Sequence, residues 1–350
     1  MPQVYDKVNV NIKPDWLKTK LQCDKAYATV AQIVERHGVH TICESGRCPN
    51  RVECWSRKTA TFMVMGDVCT RACRFCATET GKPLPISSGE PHSVARSVAL
   101  MGLKHVVVTS VTRDDLPDGG AAHWARVIEA VRAENPHTTI EVLIPDFWGR
   151  AELLDVVLAA RPDIVGHNVE TVERITPAVR SRATYGGSLG VLRYIATQRE
   201  FEFAGQTRQH DAGGGGGLKL DSALARRRAA VGHVTKSGLM VGLGERPDEV
   251  LQALDDLREA GVKVVTLGQY LQPTRGHVAV AEYVTPSMFE FYREQAVARG
   301  FIHVASGPLV RSSYMAEKAL AVIATAAAAG TPAADLATAA TAAASLATRK

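Results

Sequence analysis

The chain has 350 residues, of which 46% are hydrophobic, and this length suits one large folded domain or two ordinary ones. Its formal net charge of +5 is too small for this length to predict a nucleic-acid-binding protein. It contains no apolar run of about 18 residues and no recognisable secretion or transit signal, so we expect a cytoplasmic protein that binds no membrane.

Residues 1–58 are predicted to form an irregular, partly helical extension. From residue 59, β-branched runs alternate with amphipathic stretches, which predicts βαβ units around a parallel sheet. The predicted strands are Thr61–Gly66, His105–Val111, Thr139–Ile144, Ile164–Asn168, Gly238–Gly242 and Val262–Leu267. The predicted helices are Pro91–Met101, Ala121–Glu134, Ala151–Ala160, Ser188–Thr197 and Pro247–Ala260. Six units favour an α/β fold, a partial (β/α)6 barrel of the TIM type over residues 59–305.

Two segments break this alternation. Residues 201–232 contain the glycine run Gly213–Gly217 and the basic run Arg226–Arg228, which is typical of a disordered insertion. Residues 306–320 are predicted to be a C-terminal extension, and residues 321–350 an alanine-rich tail with too little large apolar surface to dock firmly. Neither the insertion nor the tail is expected to carry chemistry.

The cysteines are concentrated in the first quarter of the chain. An odd number of cysteines in a long chain without a secretion signal argues against a disulfide framework and favours metal ligation. Cys23 stands apart from the others and is predicted to be a partly buried thiol. The other six form two arrays, one of Cys43, Cys48 and Cys54 and one of Cys69, Cys73 and Cys76.

The array Cys69-Thr-Arg-Ala-Cys73-Arg-Phe-Cys76 is a C-x3-C-x2-C loop that follows the first predicted barrel strand. Three thiolates on one loop can ligate three irons of a [4Fe–4S] cluster and leave the fourth iron open to a small ligand. The alternatives are a zinc site and buried thiols. A structural zinc site usually has four ligands in paired C-x2-C motifs, and this sequence has no such pairs.

The array of Cys43, Cys48 and Cys54 has C-x4-C-x5-C spacing and precedes the first loop. Together the two arrays resemble the lipoyl synthase family of the radical S-adenosylmethionine (SAM) superfamily. The resemblance covers roughly residues 30–200 and 233–318. Further runs similar to the family are Gly66-Asp67, Thr78–Pro83, Thr109–Gly120, His167–Val172, Thr235–Glu245 and Arg311–Tyr314.

The resemblance implies two [4Fe–4S] clusters and SAM as cofactors. Cys69, Cys73 and Cys76 would ligate the cluster that cleaves SAM to a radical. The other three cysteines would hold an auxiliary cluster, the sulfur source, whose fourth ligand is a serine that aligns with Ser313. From the residues alone, Ser312 and Ser313 are interpreted as the N-cap of a helix over Met315–Leu320.

The resemblance also implies that Gly119, Gly120, Asn168 and Glu170 contact SAM. The alternatives are an ordinary turn for the two glycines and a solvated strand end for the other two residues. Four further residues have two interpretations of equal weight. In one interpretation they are solvated surface charges. In the other they compensate the negative charge of the clusters or dock an acidic carrier protein. These residues are Arg47, Arg51, Arg71 and Arg74.

An unactivated C–H bond cannot be opened by a side-chain acid or base, so no residue is predicted to be catalytic in that sense. The chemistry belongs to the clusters and SAM. The implied reaction inserts sulfur at C6 and C8 of an octanoyl group on a lysine of a lipoyl carrier domain or H protein. The implied electron donor is a ferredoxin or flavodoxin, and no nucleic acid is involved.

Two other functions are considered. One is a different radical SAM sulfur-transfer enzyme, against which the N-terminal position of the C-x4-C-x5-C array and the Arg311–Tyr314 motif both argue. The other is a non-catalytic iron–sulfur or zinc module that contacts nucleic acid. That function requires zinc knuckles or a concentrated basic face, and the sequence has neither.

Overall fold

The computed structural model of the protein describes residues 12–19, 23–206 and 233–313, without the side chains of residues 199–206. Its strands are β1 (His40–Thr41), β2 (Thr61–Val64), β3 (Val68–Cys69), β4 (Glu79–Thr80), β5 (His105–Ser110), β6 (Thr139–Leu143), β7 (Ile164–Gly166), β8 (Val234–Val241), β9 (Val264–Gln269) and β10 (His303–Gly307). Its α-helices are α1 (Lys25–Arg36), α2 (Ile42–Ser45), α3 (Arg51–Ser56), α4 (Glu90–Met101), α5 (Ala121–Glu134), α6 (Ala151–Ala159), α7 (Thr176–Val179), α8 (Tyr185–Gln206), α9 (Pro247–Glu259) and α10 (Pro286–Ala298).

The central sheet has the strand order β1-β2-β5-β6-β7-β8-β9-β10. The short β1 is antiparallel to β2, and all the other neighbours in this sheet are parallel. Helices α4, α5, α6, α8, α9 and α10 each connect one parallel strand to the next. The sheet therefore has six β/α units, which fits the predicted partial barrel, and β10 adds a further parallel strand at its edge.

Burial on both faces explains why the strands are so apolar. All four residues of β2 and all six of β9 are buried, as expected for parallel strands covered by helices. Helix α9 begins at Pro247 with Glu249 accepting a hydrogen bond from the Arg246 amide at 2.7 Å, and Gly261 follows its end with a φ of 82°. Its buried residues recur at helical spacing: Val250, Ala253, Leu254 and Leu257.

Some element boundaries differ from the sequence-based expectation. Strand β8 begins at Val234, four positions before the predicted Gly238, and includes a buried lysine, Lys236. That charge is tolerated because its Nζ lies 2.6 Å from Glu141 Oε1 of β6, and a buried charge needs such a partner. Helix α10 and strand β10 are not among the elements predicted above.

The predicted N-terminal extension is joined to the barrel, because β1 pairs with β2. Helix α8 continues to Gln206, past the predicted start of the insertion at residue 201. Residues 207–232 of the predicted insertion, Tyr314, the interpreted cap over Met315–Leu320 and the alanine-rich tail lie outside the described residues. Within the described part, no helix has the length and apolar character needed to cross a membrane.

Candidate active site

The C-x3-C-x2-C loop, Cys69–Cys76, leaves the carboxyl end of β2, where sites are built in barrels of this type. The chain turns sharply before the loop, with φ of 70° at Met65 and 91° at Gly66. The Glu90 carboxylate holds this turn, because both its oxygens accept a hydrogen bond from the Met65 amide, at 3.0 and 2.9 Å. His123 Nε2 lies 2.5 Å from the same carboxylate. The turn is therefore supported by Glu90, which is in turn contacted by the buried His123.

The three thiols of this loop lie close to one another. Burial raises the pKa of Cys76, and the nearby charges of Cys73 and Cys69 raise it further. Cys69 Sγ accepts hydrogen bonds from the backbone amides of Arg71 and Thr112, at 3.4 and 3.3 Å. Adjacent thiolates repel, so a bound cation is needed to hold them ionised together. This donor set fits a cluster that bears positive iron.

Arg71, inside the loop, is held by two buried carboxylates. Its Nε and Nη2 donate to Asp114 at 2.9 Å each, and its Nη1 and Nη2 donate to Asp146 at 2.8 Å each. Burial opposes the charge of Arg71, but the two carboxylates outweigh burial and raise its pKa. The guanidinium therefore neutralises two aspartates. The interpretation of Arg71 as surface charge, or as a docking group for a carrier, is wrong.

A second segment holds the loop from the side of β9. His277 Nε2 lies 2.9 Å from the carbonyl oxygen of Cys76, and the Val278 amide donates to the carbonyl of Arg74 at 3.0 Å. The Tyr270 hydroxyl donates to the Val278 carbonyl at 2.7 Å and stabilises this segment. The sequence does carry a signal for it, because a turn that follows the carboxyl end of a barrel strand often contributes to the site.

A cavity of about 350 Å³, the first cavity, lies beside Cys76 at the strand ends. Asn168 and Glu170 line it, so the structure brings two of the predicted SAM contacts next to the loop. Burial raises the pKa of Glu170, although Arg180 and Asn168 counteract the shift. Gly238 lines the same cavity, where a Cβ would lie 2.6 Å from Thr266 Oγ1 and 3.0 Å from Asn168 Oδ1. The cavity wall therefore requires glycine there.

The other two predicted SAM contacts lie in a different environment. Gly120 has a φ of 85°, its amide donates to Asp118 Oδ1 at 3.0 Å, and a Cβ there would overlap Met65 Sδ. A Cβ on Gly119 would crowd Phe147 and Trp148. Close packing at the start of α5 explains both glycines. They are not among the residues that line the first cavity, and their role in SAM binding stays a prediction.

The three cysteines of the C-x4-C-x5-C array line a cavity of about 170 Å³, the second cavity. Cys43 belongs to α2, Cys54 belongs to α3, and Cys48 lies in the turn between them. Burial raises the pKa of Cys54 to about 12, with further contributions from the charges of Cys43 and Cys48. The three thiols are therefore close enough to interact, and their surroundings resist ionisation unless a cation is present.

The end of the described chain completes this cavity. Asn50 Nδ2 donates to the carbonyl of Leu309 at 2.7 Å, and Thr61 Oγ1 donates to Ser313 Oγ at 2.8 Å. Ser312 and Ser313 both line the second cavity. Arg311 lies between the two cavities, and its Nη1 donates to the carbonyl of Gln269 at 3.1 Å. The structure thus brings Ser313 to the three cysteines with which it was predicted to act.

The remaining candidates from the sequence are one cysteine and three arginines. Cys23 is exposed, so the prediction of a partly buried thiol is wrong. Arg51 stacks 5.6 Å above the Trp55 ring and lies 3.6 Å from Glu44. Arg47 and Arg74 line an open surface cavity beside Cys73 and Cys76.

Within the described ranges, all seven cysteines are free thiols, and no three His, Cys, Asp or Glu side chains converge as ligands of one metal ion. A [4Fe–4S] cluster does not require such convergence, because each thiolate binds a different iron of the cube. Three thiols and a serine hydroxyl that line one cavity are a suitable donor set for such a cube. The residues of the second cavity therefore fit a cluster.

The chain is similar to known proteins over most of its length. The model of the radical SAM superfamily matches residues 63–198. Lipoyl synthase from Parabacteroides distasonis is 54% identical over 306 residues, which cover 87% of this chain and 97% of the relative. Lipoyl synthase from Bacteroides fragilis strain YCH46 is 51% identical, over 87% of this chain and 95% of the relative. The chain belongs to the lipoyl synthase family.

Membership in the lipoyl synthase family confirms the resemblance and the partial barrel predicted for the sequence. A member of this family is a radical SAM sulfur-inserting enzyme, which excludes a non-catalytic binding module. Its cofactors include a [4Fe–4S] cluster and SAM. Among solved structures, methylornithine synthase aligns with 11% identity and a TM-score of 0.47, over 87% of this chain and 82% of that chain. The assignment rests on the sequence relatives.

Proposed function

We propose that the protein inserts two sulfur atoms, at C6 and C8, into an octanoyl group carried on a lysine of a lipoyl carrier domain or H protein. The observation that carries this proposal is that Cys76 of one array and all three cysteines of the other line two adjoining cavities. Gly46, Arg311 and Ser312 line both cavities, so one thin wall separates them. An acyl chain held at that wall has one array on each side.

We assign Cys69, Cys73 and Cys76 to the cluster that binds SAM. The backbone amides that point at Cys69 support this assignment, because they stabilise a ligating thiolate. We place SAM in the first cavity against Asn168 and Glu170, and we retain Gly119 and Gly120 as contacts to be tested. The cavity is about 350 Å³, within the usual range for a small-molecule site.

We assign Cys43, Cys48, Cys54 and Ser313 to the auxiliary cluster. Their common position around the second cavity supports this assignment. When bound, the two clusters and SAM supply the radical and the sulfur. The protein binds and orients the reactants and excludes water, and Arg311 keeps a fixed position because backbone carbonyls of Gln269 and Val310 accept from its guanidinium.

We propose that a ferredoxin or flavodoxin supplies electrons through the open surface cavity beside Cys73 and Cys76. Arg47 and Arg74 line that cavity together with Glu44, Asp67 and Glu79, so its charge is mixed, and its position beside the two cysteines supports the proposal. The cavity is open to solvent beside Cys73 and Cys76, so a donor protein that covers it would lie next to the proposed cluster.

The test is anaerobic incubation of the reconstituted protein with SAM, a reductant and an octanoyl-lysyl peptide. Mass spectrometry should show a peptide that gains one sulfur and then two, with 5′-deoxyadenosine as coproduct. A Cys73→Ala variant should form neither product. A Cys54→Ala variant should still form 5′-deoxyadenosine but no sulfur-bearing peptide. The proposal fails if the intact protein cleaves SAM and never yields a sulfur-bearing peptide.

A further inference from the structure

Thr61 is a polar residue at the start of the first barrel strand, which reads Thr61-Phe62-Met63-Val64. Only 7% of its surface is exposed, and it lines the second cavity with the three cysteines. Its Oγ1 donates to Ser313 Oγ at 2.8 Å, a contact between residues 252 positions apart. The hydroxyl of Thr61 is therefore directed at the residue that closes the cavity.

The fold alone does not require this hydroxyl. A valine has the same branched shape and suits a strand equally well. The backbone around Ser313 has other supports, since Asn50 donates to the Leu309 carbonyl and Arg311 donates to the Gln269 carbonyl. Those bonds place the segment but do not choose among the three staggered positions of the serine side chain. The hydrogen bond from Thr61 selects one of these positions, because it requires Ser313 Oγ to lie within reach of the threonine hydroxyl.

We propose that Thr61 is a positioning residue that fixes the hydroxyl oxygen of Ser313 toward the cavity of Cys43, Cys48 and Cys54. The inference rests on the proposed function, in which Ser313 ligates the auxiliary cluster. A serine oxygen bound to iron has lost its proton and can only accept a hydrogen bond, whereas the threonine hydroxyl keeps its proton. The bond from Thr61 to Ser313 thus persists when the ligand is engaged.

The experiment follows iron release from the full-length protein after anaerobic reconstitution. A chelator extracts the iron while SAM is present, and the kinetic phase that depends on Ser313 is identified as the one altered in Ser313→Ala. Thr61→Val should speed that phase by about two- to tenfold, the equivalent of one lost hydrogen bond. Thr61→Ser should restore the original rate, since it keeps the hydroxyl.

Two controls separate positioning from general destabilisation. Thr138→Val removes a buried threonine hydroxyl that donates to the Leu103 carbonyl at 2.6 Å, away from both cavities, and should leave the phase unchanged. In a Ser313→Ala background, Thr61→Val should have no further effect, because its partner is gone. Mössbauer spectra should show that Thr61→Val alters the iron with the non-cysteine ligand.

Three results would overturn the inference. An unchanged rate in Thr61→Val, beside a changed rate in Ser313→Ala, rejects the role of Thr61 and leaves the proposed function intact. An equal effect of Thr61→Val with and without Ser313 shows that Thr61 acts through the fold alone. An unchanged rate in Ser313→Ala rejects the serine ligand itself and, with it, the role of Thr61.

Discussion

Arg71 lies between the first two cysteines of its loop and binds carboxylates that follow two neighbouring strands. Asp114 comes after β5 and Asp146 comes after β6, so one guanidinium ties the loop to both. All three side chains are largely buried, and removal of one partner leaves uncompensated charge in a poorly solvated place. Arg71 therefore connects the loop to the ends of two strands, while His277 and Val278 contact the loop from the segment after β9.

We expect Arg71→Met to lower the free energy of unfolding of the cluster-free protein by roughly 3–5 kcal/mol, because Asp146 loses its cation and Asp114 keeps only the exposed Arg182, 3.6 Å away. Urea denaturation measures the change. The matched control is Arg150→Met. Arg150 pairs with Glu152 at 2.7 Å with both side chains exposed, and its loss should cost less than about 1 kcal/mol. Equal costs for the two variants would contradict the buried role of Arg71.

His167 is a buried residue whose protonation the fold opposes. Its Nδ1 lies 2.9 Å from the Ile144 carbonyl and its Nε2 lies 3.0 Å from Ser188 Oγ, so the neutral ring donates to the carbonyl and accepts from the serine. Burial first, and then the charge of Arg180, lower the pKa of His167 from 6.5 to about 4. Between these values the unfolded chain takes up a proton that the folded chain does not.

The stabilising effect of a neutral His167 is complete above pH 6.5 and is lost as the pH falls toward 4. His167 should therefore lower the free energy of unfolding by about 2 kcal/mol between pH 7 and pH 5. This figure follows from the free energy that corresponds to one pKa unit. Urea denaturation at pH 7, 6 and 5 measures the slope. His167→Gln has no such proton to take up and should show a shallower slope. Parallel slopes for the two proteins would refute the assignment.

At the scale of the elements, the segment after β9 is held in place by a few individual hydrogen bonds. It contacts the C-x3-C-x2-C loop through His277 Nε2 and the Val278 amide, and both contacts are to backbone carbonyls. His277 is also fixed by Thr274 Oγ1, 2.8 Å from its Nδ1. The segment is therefore attached to the loop by hydrogen bonds at two adjacent residues.

We expect His277→Ala to increase the rate of amide hydrogen exchange across residues 272–284 by about fivefold, since one hydrogen bond contributes about 1 kcal/mol. The measurement uses the cluster-free protein, so it does not depend on activity. His92→Ala, which changes an exposed histidine on α4, should leave exchange in this segment unaltered. Unchanged exchange in His277→Ala would show that Val278 alone suffices to hold the segment.

Some helices and strands can be predicted from the sequence more closely than others. Strand β5 and helix α5 have the plain patterns expected of buried strands and amphipathic helices, and the sequence predicts both closely. Strand β8 contains Thr235-Lys236-Ser237 directly after its first residue. These polar residues do not indicate a buried strand unless Glu141 is known to lie beside Lys236. Strand β10 is only partly buried along its whole length, so its sequence does not show the apolar run of a buried strand.

Helix α10 could have been found. Thr285 caps its start, since its Oγ1 accepts from the Met288 amide at 3.3 Å, and Pro286 follows the cap. A threonine and a proline before an apolar stretch, with a glycine such as Gly300 beyond its end, are ordinary signals of a helix. The two-residue β1 has no such signal, because its pairing depends on a distant strand.

At the scale of the whole molecule, the second cavity forms where the two edges of the sheet are brought together. Strands β1 and β10 lie at opposite ends of the sheet order, yet segments next to them meet at the second cavity. Asn50 reaches the Leu309 carbonyl and Thr61 reaches Ser313, so two side chains connect the beginning of the barrel to its end. The open side of the partial barrel is where the auxiliary cluster is proposed to lie.

The composition of this site could be predicted only in part. Cysteine spacing identified the two arrays, because neighbouring ligands leave a local pattern. The resemblance to a known family supplied Ser313, since no local pattern links a serine to cysteines far away in the chain. The roles of Asn50, Thr61 and Arg71 depend on contacts across the fold, and only the structure shows those partners.

The distance in sequence between Thr61 and Ser313 also sets an order of events during synthesis. The two residues are 252 positions apart, and at roughly 5–20 residues per second the ribosome needs about 13 to 50 seconds between them. The cysteine thiols thus emerge well before the hydroxyl that completes their cavity. During that interval the thiols of both arrays are on the nascent chain while the second cavity is incomplete, which favours insertion of the proposed auxiliary cluster after Ser313 has been made.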